Sequence, residues 1–337
     1  MLAITTFAKI RLRSFFLWML LLGVAIVIPI FVLADYGIIS EELLNILIET
    51  CLFFIFPLVW LRVKMTQHNI AFSSLLRQPA TWNWRLIVTA TAIGMIFSAA
   101  ISVVQFYVAS YIAPDFITDM LNEPTIDQTS VAATIFSLIS VCVFAPIMEE
   151  LIFRGFFLHR MTHKWGLKRA VIVSSLLFGL GHMDIIGAFV FGLIMCIIYL
   201  KTNSLLVAMA VHALNNMIAS FMQLGEGNAV GPVELADLRS PMELGISIVV
   251  VILTLFWIVP FIGNNFRNHQ QLPILAKLRE EQEAENISTS VYSQVLMTNH
   301  FMAVELPDEA VHQLNLQEHD HVKLDIQDNK VIITKVE

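Results

Sequence analysis

The feature that most restricts this chain is a succession of apolar runs, most of them near the ~20 residues a helix needs to cross a bilayer. They are Ser14–Leu33, Leu43–Leu61, Leu86–Ile112, Val131–Leu158, Ala170–Gly181, Ile185–Leu200, Leu205–Leu224 and Leu244–Ile262. The fourth is strictly apolar only as far as Met148, and the fifth is short, ending at Gly181-His182-Met183-Asp184. Only 14% of residues are charged and the mean hydropathy is +0.74, whereas a soluble domain carries roughly 25% charged residues. The expected fold is an all-α polytopic membrane protein of about eight transmembrane helices. The first run exceeds a signal-peptide core and has no small-residue cleavage site after it, so it reads as a retained span. Cys51, Cys142 and Cys196 fall inside apolar runs, without metal or disulfide spacing, and read as small buried hydrophobes.

Charge in the connections alternates. Lys9, Arg11 and Arg13 precede the first run, and Asp35, Glu41 and Glu42 follow it. Arg62, Lys64, Arg77 and Arg85 follow the second; Asp115, Asp119, Glu123 and Asp127 follow the third. Arg160, Lys164, Lys168 and Arg169 then precede the fifth run, and Lys201 separates the sixth and seventh. The excess of cations on alternate connections implies a multi-pass protein of the cell membrane with both termini cytoplasmic.

Three sections follow: a transmembrane domain over 1–265, a polar helical linker over 266–290, and a small soluble domain over 291–337. In the last, the alternating segments Val322–Ile326 and Val331–Val336 flank a polar turn, a hairpin pattern that makes a β-rich tail the expectation. A short helix is expected from Pro307.

An ionisable residue inside a span is costly and by default points to function. Span four contains Glu149-Glu150-Leu-Ile-Phe-Arg154. On a helix Glu150 and Arg154 lie i, i+4 and can pair, while Glu149 points about 100° away and stays free. The plain alternative is a span that ends at Met148 and leaves these residues in the interface. Two further elements are Phe178-Gly-Leu-Gly-His182 and His212-Ala-Leu-Asn215-Asn216. At ~1.5 Å per residue, Glu149, His182 and His212 lie roughly 15, 18 and 12 Å from the basic ends of their helices. Three helices thus bring them to one depth, which favours a shared site and a fourth span extended to Leu158.

A carboxylate among imidazoles can activate water as a general base while His and Asn stabilise an oxyanion. The same groups can instead ligate a divalent metal; no HExxH pattern favours that. Glu49, inside the second run, reads as bundle packing. His159 and His163 read as headgroup contacts, and Trp60, Trp82, Trp84 and Trp165 as interfacial anchors.

In this order and spacing the three motifs resemble the CPBP (Abi) family of intramembrane proteases, which includes the CAAX prenyl-protein endopeptidases and bacteriocin-immunity proteins. The resemblance covers a core of about residues 125–224. It implies an endopeptidase acting on a membrane-associated peptide or lipidated protein, with membrane lipid as its surroundings. Glu149 and His182 would activate water, His212 and Asn216 would stabilise the oxyanion, and Glu150 and Arg154 would support them. It leaves open a divalent metal such as zinc, held by Glu149, His182 and His212, or a metal-free glutamate mechanism. A non-proteolytic immunity or scaffold protein and a proton-coupled transporter are the alternatives.

The tail from Val304 to Leu324 resembles AbrB/antitoxin-type swapped-hairpin domains, which implies a homodimer through this region. From Val291 onward eight acids stand against Lys323, Lys330 and Lys335, a balance of −5, so no nucleic-acid partner is expected.

Overall fold

The computed structural model describes residues 9–123, 125–226 and 232–268, together with short stretches between 295 and 335. It divides into two compact units, Met1–Ala276 and Lys277–Glu337.

The first unit is helical, and among the described residues seven helices are long and apolar enough to cross a membrane. These are α1 (Leu12–Asp35), α2 (Leu43–Gln67), α3 (Trp84–Ile112), α5 (Val131–Trp165), α7 (Ile185–Thr202), α8 (Leu205–Glu226) and α9 (Pro241–Asn268). The short α4 (Pro114–Asn122) follows α3, and α6 (Leu167–Leu180) lies between α5 and α7. The expected count of about eight spans is therefore corrected to seven. The difference is α6, whose 14 residues extend only ~21 Å against a hydrocarbon core of ~30 Å. The helix ends at the turn Gly181–Asp184, where the His182 side chain remains 38% exposed.

Three spans change pitch at a comparable place, and proline explains each change. Wide π-helical turns at Gly23–Val27, Thr50–Ile55 and Ser140–Phe144 run into α-helical segments whose second residue is Pro29, Pro57 or Pro146. Proline has no N–H to donate, and its ring collides with the carbonyl four residues earlier. Widening the preceding turn relieves that collision without ending the helix.

At the centre of the bundle is α7, apolar around its whole circumference and largely buried, as expected of a helix surrounded by others. Phe191, Ile194, Met195 and Ile198 of α7 pack with Ile87 and Phe97 of α3, Phe178 of α6, Val211 of α8 and Ile258 of α9. Close approach to α6 depends on two glycines. A Cβ on Gly192 would lie 3.1 Å from Ser175 Cα, and one on Gly179 only 2.6 Å from Ile185 O. Small residues at such contacts let helix backbones meet in lipid.

In the second unit the described residues form two separate antiparallel pairs. Val295–Met297 lies beside Met302–Val304, and Val322–Gln327 beside Lys330–Lys335. Each is a lone two-stranded ladder, which is marginal in water without further strands or a packed face. The expected β-rich C-terminal domain is therefore not supported. Of the polar linker expected over 266–290, residues 266–268 belong to α9; the rest of it, and the start of the short helix at Pro307, lie outside the described residues.

Trp60 also departs from its sequence reading. Rather than anchoring at an interface it is 2% exposed, packed between Phe15 and Phe156 with ring centroids 5.1 and 4.9 Å away.

Replacing Gly179 with Ala sets a Cβ against backbone and is expected to cost on the order of 1–3 kcal/mol, seen as a lower unfolding midpoint in detergent. Gly245→Ala, where the added Cβ meets nothing within 4 Å, should not lower it.

Candidate active site

Glu149 and Glu150 straddle a change of pitch in α5. Glu149 ends the short α segment Ala145–Glu149, and Glu150 opens a second π-helical stretch, Glu150–Phe157. Residues four apart still share a face there. Arg154 Nη1 donates to Glu150 Oε1 at 2.8 Å, with both side chains fully buried. Arg154 Nη2 reaches across to Gly192 O of α7 at 3.2 Å. Its guanidinium carbon lies 4.5 Å from the Phe178 ring centroid, a cation–π contact strengthened by the absence of water. His212 Nδ1 donates to the same Glu150 oxygen at 3.0 Å.

Glu149 is left without such partners. Its side chain is 29% exposed, and its Oε2 stands 3.7 Å from His212 Nε2 and 3.9 Å from His182 Nε2. Among the described residues this oxygen is buried and has no hydrogen-bond partner. Both imidazoles are oriented from behind. The contact of His182 Nδ1 with Phe178 O at 2.8 Å requires a proton on Nδ1, because a carbonyl can only accept. His212 Nδ1 likewise donates to Glu150. Each ring therefore turns its Nε2 toward Glu149, and three helices meet where their depths along the chain suggested.

Several supporting residues carried no clear sequence signal. Phe178 is the hub: His182 lies on it with centroids 4.5 Å apart, His212 meets it edge-on at 5.8 Å, and Arg154 covers it. Its position four residues before His182 was the one available hint. Phe191 packs edge-on against His212 at 5.3 Å. The turn after His182 is held from α3: Ser98 donates to Asp184 Oδ2, and Gln105 bonds both Met183 O and Ile186 N–H. Asp184 also caps α7 by accepting from Gly187 N–H at 2.9 Å.

Asn216 lies one turn beyond His212 but bonds elsewhere. Its amide donates to Val141 O at 2.9 Å and its carbonyl accepts from Asn215. Val141 O is the carbonyl that residue 146 would serve in the π register, since Ala145 N–H bonds Ser140 O. Residue 146 is proline, so Asn216 takes over that carbonyl. His159, read as a headgroup contact, is instead buried and bonded to Tyr199 Oη at 3.0 Å.

Among the described residues no group of three or more His, Cys, Asp or Glu side chains is gathered so as to hold a metal ion. Glu149 Oε2, His182 Nε2 and His212 Nε2 nevertheless face one another, and they are the atoms that would hold a divalent ion if one binds.

Residues 131–218 match the family model for Rce1-like proteins, described as type II CAAX prenyl endopeptidase Rce1-like. At family level the match supports an intramembrane endopeptidase. It takes in Glu149, Glu150, Arg154, His182, His212 and Asn216, and it gives the AbrB-type likeness of the tail no support. No curated protein and no solved structure matches the chain.

Arg154→Met leaves Glu150 buried without its cation and is expected to destabilise the protein by about 3–5 kcal/mol. Thermal unfolding in detergent measures this, and the double replacement Glu150→Gln/Arg154→Met should recover most of the loss.

Proposed function

We propose that the chain is an intramembrane endopeptidase that hydrolyses a peptide bond in a membrane-associated, lipid-anchored substrate. The observation that carries this is Glu149 Oε2, a buried carboxylate oxygen without a hydrogen-bond partner among the described residues, facing two imidazole nitrogens.

The charges are arranged for it. Arg154 neutralises Glu150, so the second carboxylate can hold His212 in place while Glu149 remains available as base. Water set between Glu149 and the imidazoles loses a proton to Glu149 as its oxygen attacks the carbonyl carbon. A proton on one imidazole brings the cluster of two carboxylates and one guanidinium to neutrality. That Nε2–H donates to the oxygen on which charge develops. Collapse breaks the C–N bond, and Glu149 returns its proton to the leaving amine. Asn216 acts in this reading as a positioning residue, because it fixes the turn of α5 that ends at Glu149.

An apolar cavity of about 270 Å³ leads to Glu149 between α1, α2, α5 and α6, lined by Phe16, Met19, Phe53, Pro57, Phe153 and Leu177 among others. Glu149 is its one ionisable lining residue. Such a surface suits a prenyl or comparable apolar anchor beside the scissile bond.

The test is cleavage of a fluorogenic prenylated peptide by the purified chain in nanodiscs. Glu149→Gln keeps the shape and removes the base, and the rate should fall by roughly 10²–10⁴-fold. A chelator should leave the wild-type rate unchanged. Full activity of Glu149→Gln, or no cleavage by a folded wild-type chain, would refute the reading.

A further inference from the structure

Hydrolysis consumes one water for each bond cut, and the apolar cavity is a poor conduit for it. A substrate seated there closes Glu149 off from that side. The bundle has a second approach. A second cavity of about 250 Å³ shares Phe53 and Glu149 with the first and is otherwise lined in part by Glu49, Thr125, Ser137 and Ser140. A further cavity of about 330 Å³ is lined by Glu49, Thr125 and Ser137 again, and by Asn45, Glu123 and Asp127. Three shared lining residues make the two spaces adjoin. Together they run from the loop around 123–129 to the candidate base.

The outer space is mainly polar, and in the inner one Glu49, Thr125, Ser137, Ser140 and Glu149 share the wall with apolar residues such as Phe54 and Phe144. Each has room for several waters with polar partners within reach. At the outer end Asp127 accepts from Thr129 Oγ1–H at 2.6 Å and from Thr129 N–H at 2.8 Å. These bonds hold its carboxyl below the ordinary carboxylate value and keep the mouth anionic. Ser137 Oγ accepts from Asp127 N–H at 3.3 Å, which ties the mouth to α5. Glu49 stands where the two cavities meet and belongs to neither the Glu149 cluster nor the helix packing around α7. An ionisable residue in a span calls for such an explanation.

We propose that this polar line is the route by which water reaches Glu149, entering from the end of the bundle that carries Glu123 and Asp127. Glu49 is its positioning residue, accepting hydrogen bonds from waters passing between the two cavities. The inference rests on the reading of Glu149 as the base that activates one of those waters. Substrate and water then reach the base through different cavities. The water's proton goes to Glu149, its oxygen to the carbonyl carbon, and the amine departs with the returned proton.

The test has two arms, and the first is independent of activity. In a full-length chain with Cys51, Cys142 and Cys196 replaced by Ala, Ser140→Cys is placed in sealed, oriented vesicles with a membrane-impermeant cationic methanethiosulfonate. Labelling is expected when the reagent is on the Glu123 and Asp127 side, and not from the opposite side. Thr129→Cys, at the mouth, is the positive control. In the second arm Glu49→Gln should lower kcat about tenfold with KM unchanged, and Glu49→Asp should restore most of it.

Labelling at Thr129→Cys but not at Ser140→Cys overturns the route. An unchanged kcat in Glu49→Gln overturns the role of Glu49. If Ser140→Cys is labelled but the folded wild-type chain cleaves nothing, the passage stands and the peptidase reading fails. If Glu149→Gln is inactive while Ser140→Cys stays unlabelled, the peptidase reading stands and the route fails.

Discussion

The ion pair between Glu150 and Arg154 is the contact on which the rest of the bundle core depends. Two charges are buried completely at mid-depth in a helix, where desolvation costs several kcal/mol per ion unless further polar contacts offset it. Those contacts come from three other helices. Gly192 of α7 supplies a carbonyl, His212 of α8 supplies an N–H, and Phe178 of α6 supplies the face of a ring. Satisfying this one pair therefore fixes how α5, α6, α7 and α8 face one another. Gly192 answers both demands, since the missing side chain that lets α6 approach leaves its carbonyl within reach of Arg154.

From that arrangement the asymmetry between two adjacent carboxylates follows. Glu150 is consumed by structure, and Glu149, one residue earlier and on another face, is exposed to cavities on two sides. The imidazoles that face it are each held from behind by an Nδ1–H bond, so their orientation does not depend on Glu149. A site built this way is organised before substrate arrives, which is the condition under which fixed dipoles lower a barrier most.

Much of this was legible in the sequence, for definite reasons. A charge in a long apolar run is conspicuous, and helical rise converts position into depth, so Glu149, His182 and His212 could be placed at one level before any coordinates. The i, i+4 spacing of Glu150 and Arg154 was enough to separate the two carboxylates. What was not legible depended on contacts between distant segments. Nothing local marks Ser98 and Gln105 as the residues that hold the turn after His182. Asn216 looked like a partner of His212 because both share a helix face; its actual carbonyl was freed by Pro146, on another span. Trp60 and His159 lie near span ends by residue count and are nevertheless buried by neighbouring helices. The fifth apolar run, α6, is too short to be a span, and alternation in the tail was a local pattern that did not amount to a β-rich domain.

The central claim is that Glu149 activates water rather than attacking the substrate itself. A single turnover in ¹⁸O-enriched water, followed by mass spectrometry of both product and protein, tests it most directly. One ¹⁸O atom is expected in the new carboxylate of the product at the first turnover, and none in the protein segment containing Glu149. Label appearing in Glu149, or an unlabelled product from the first turnover, would contradict it.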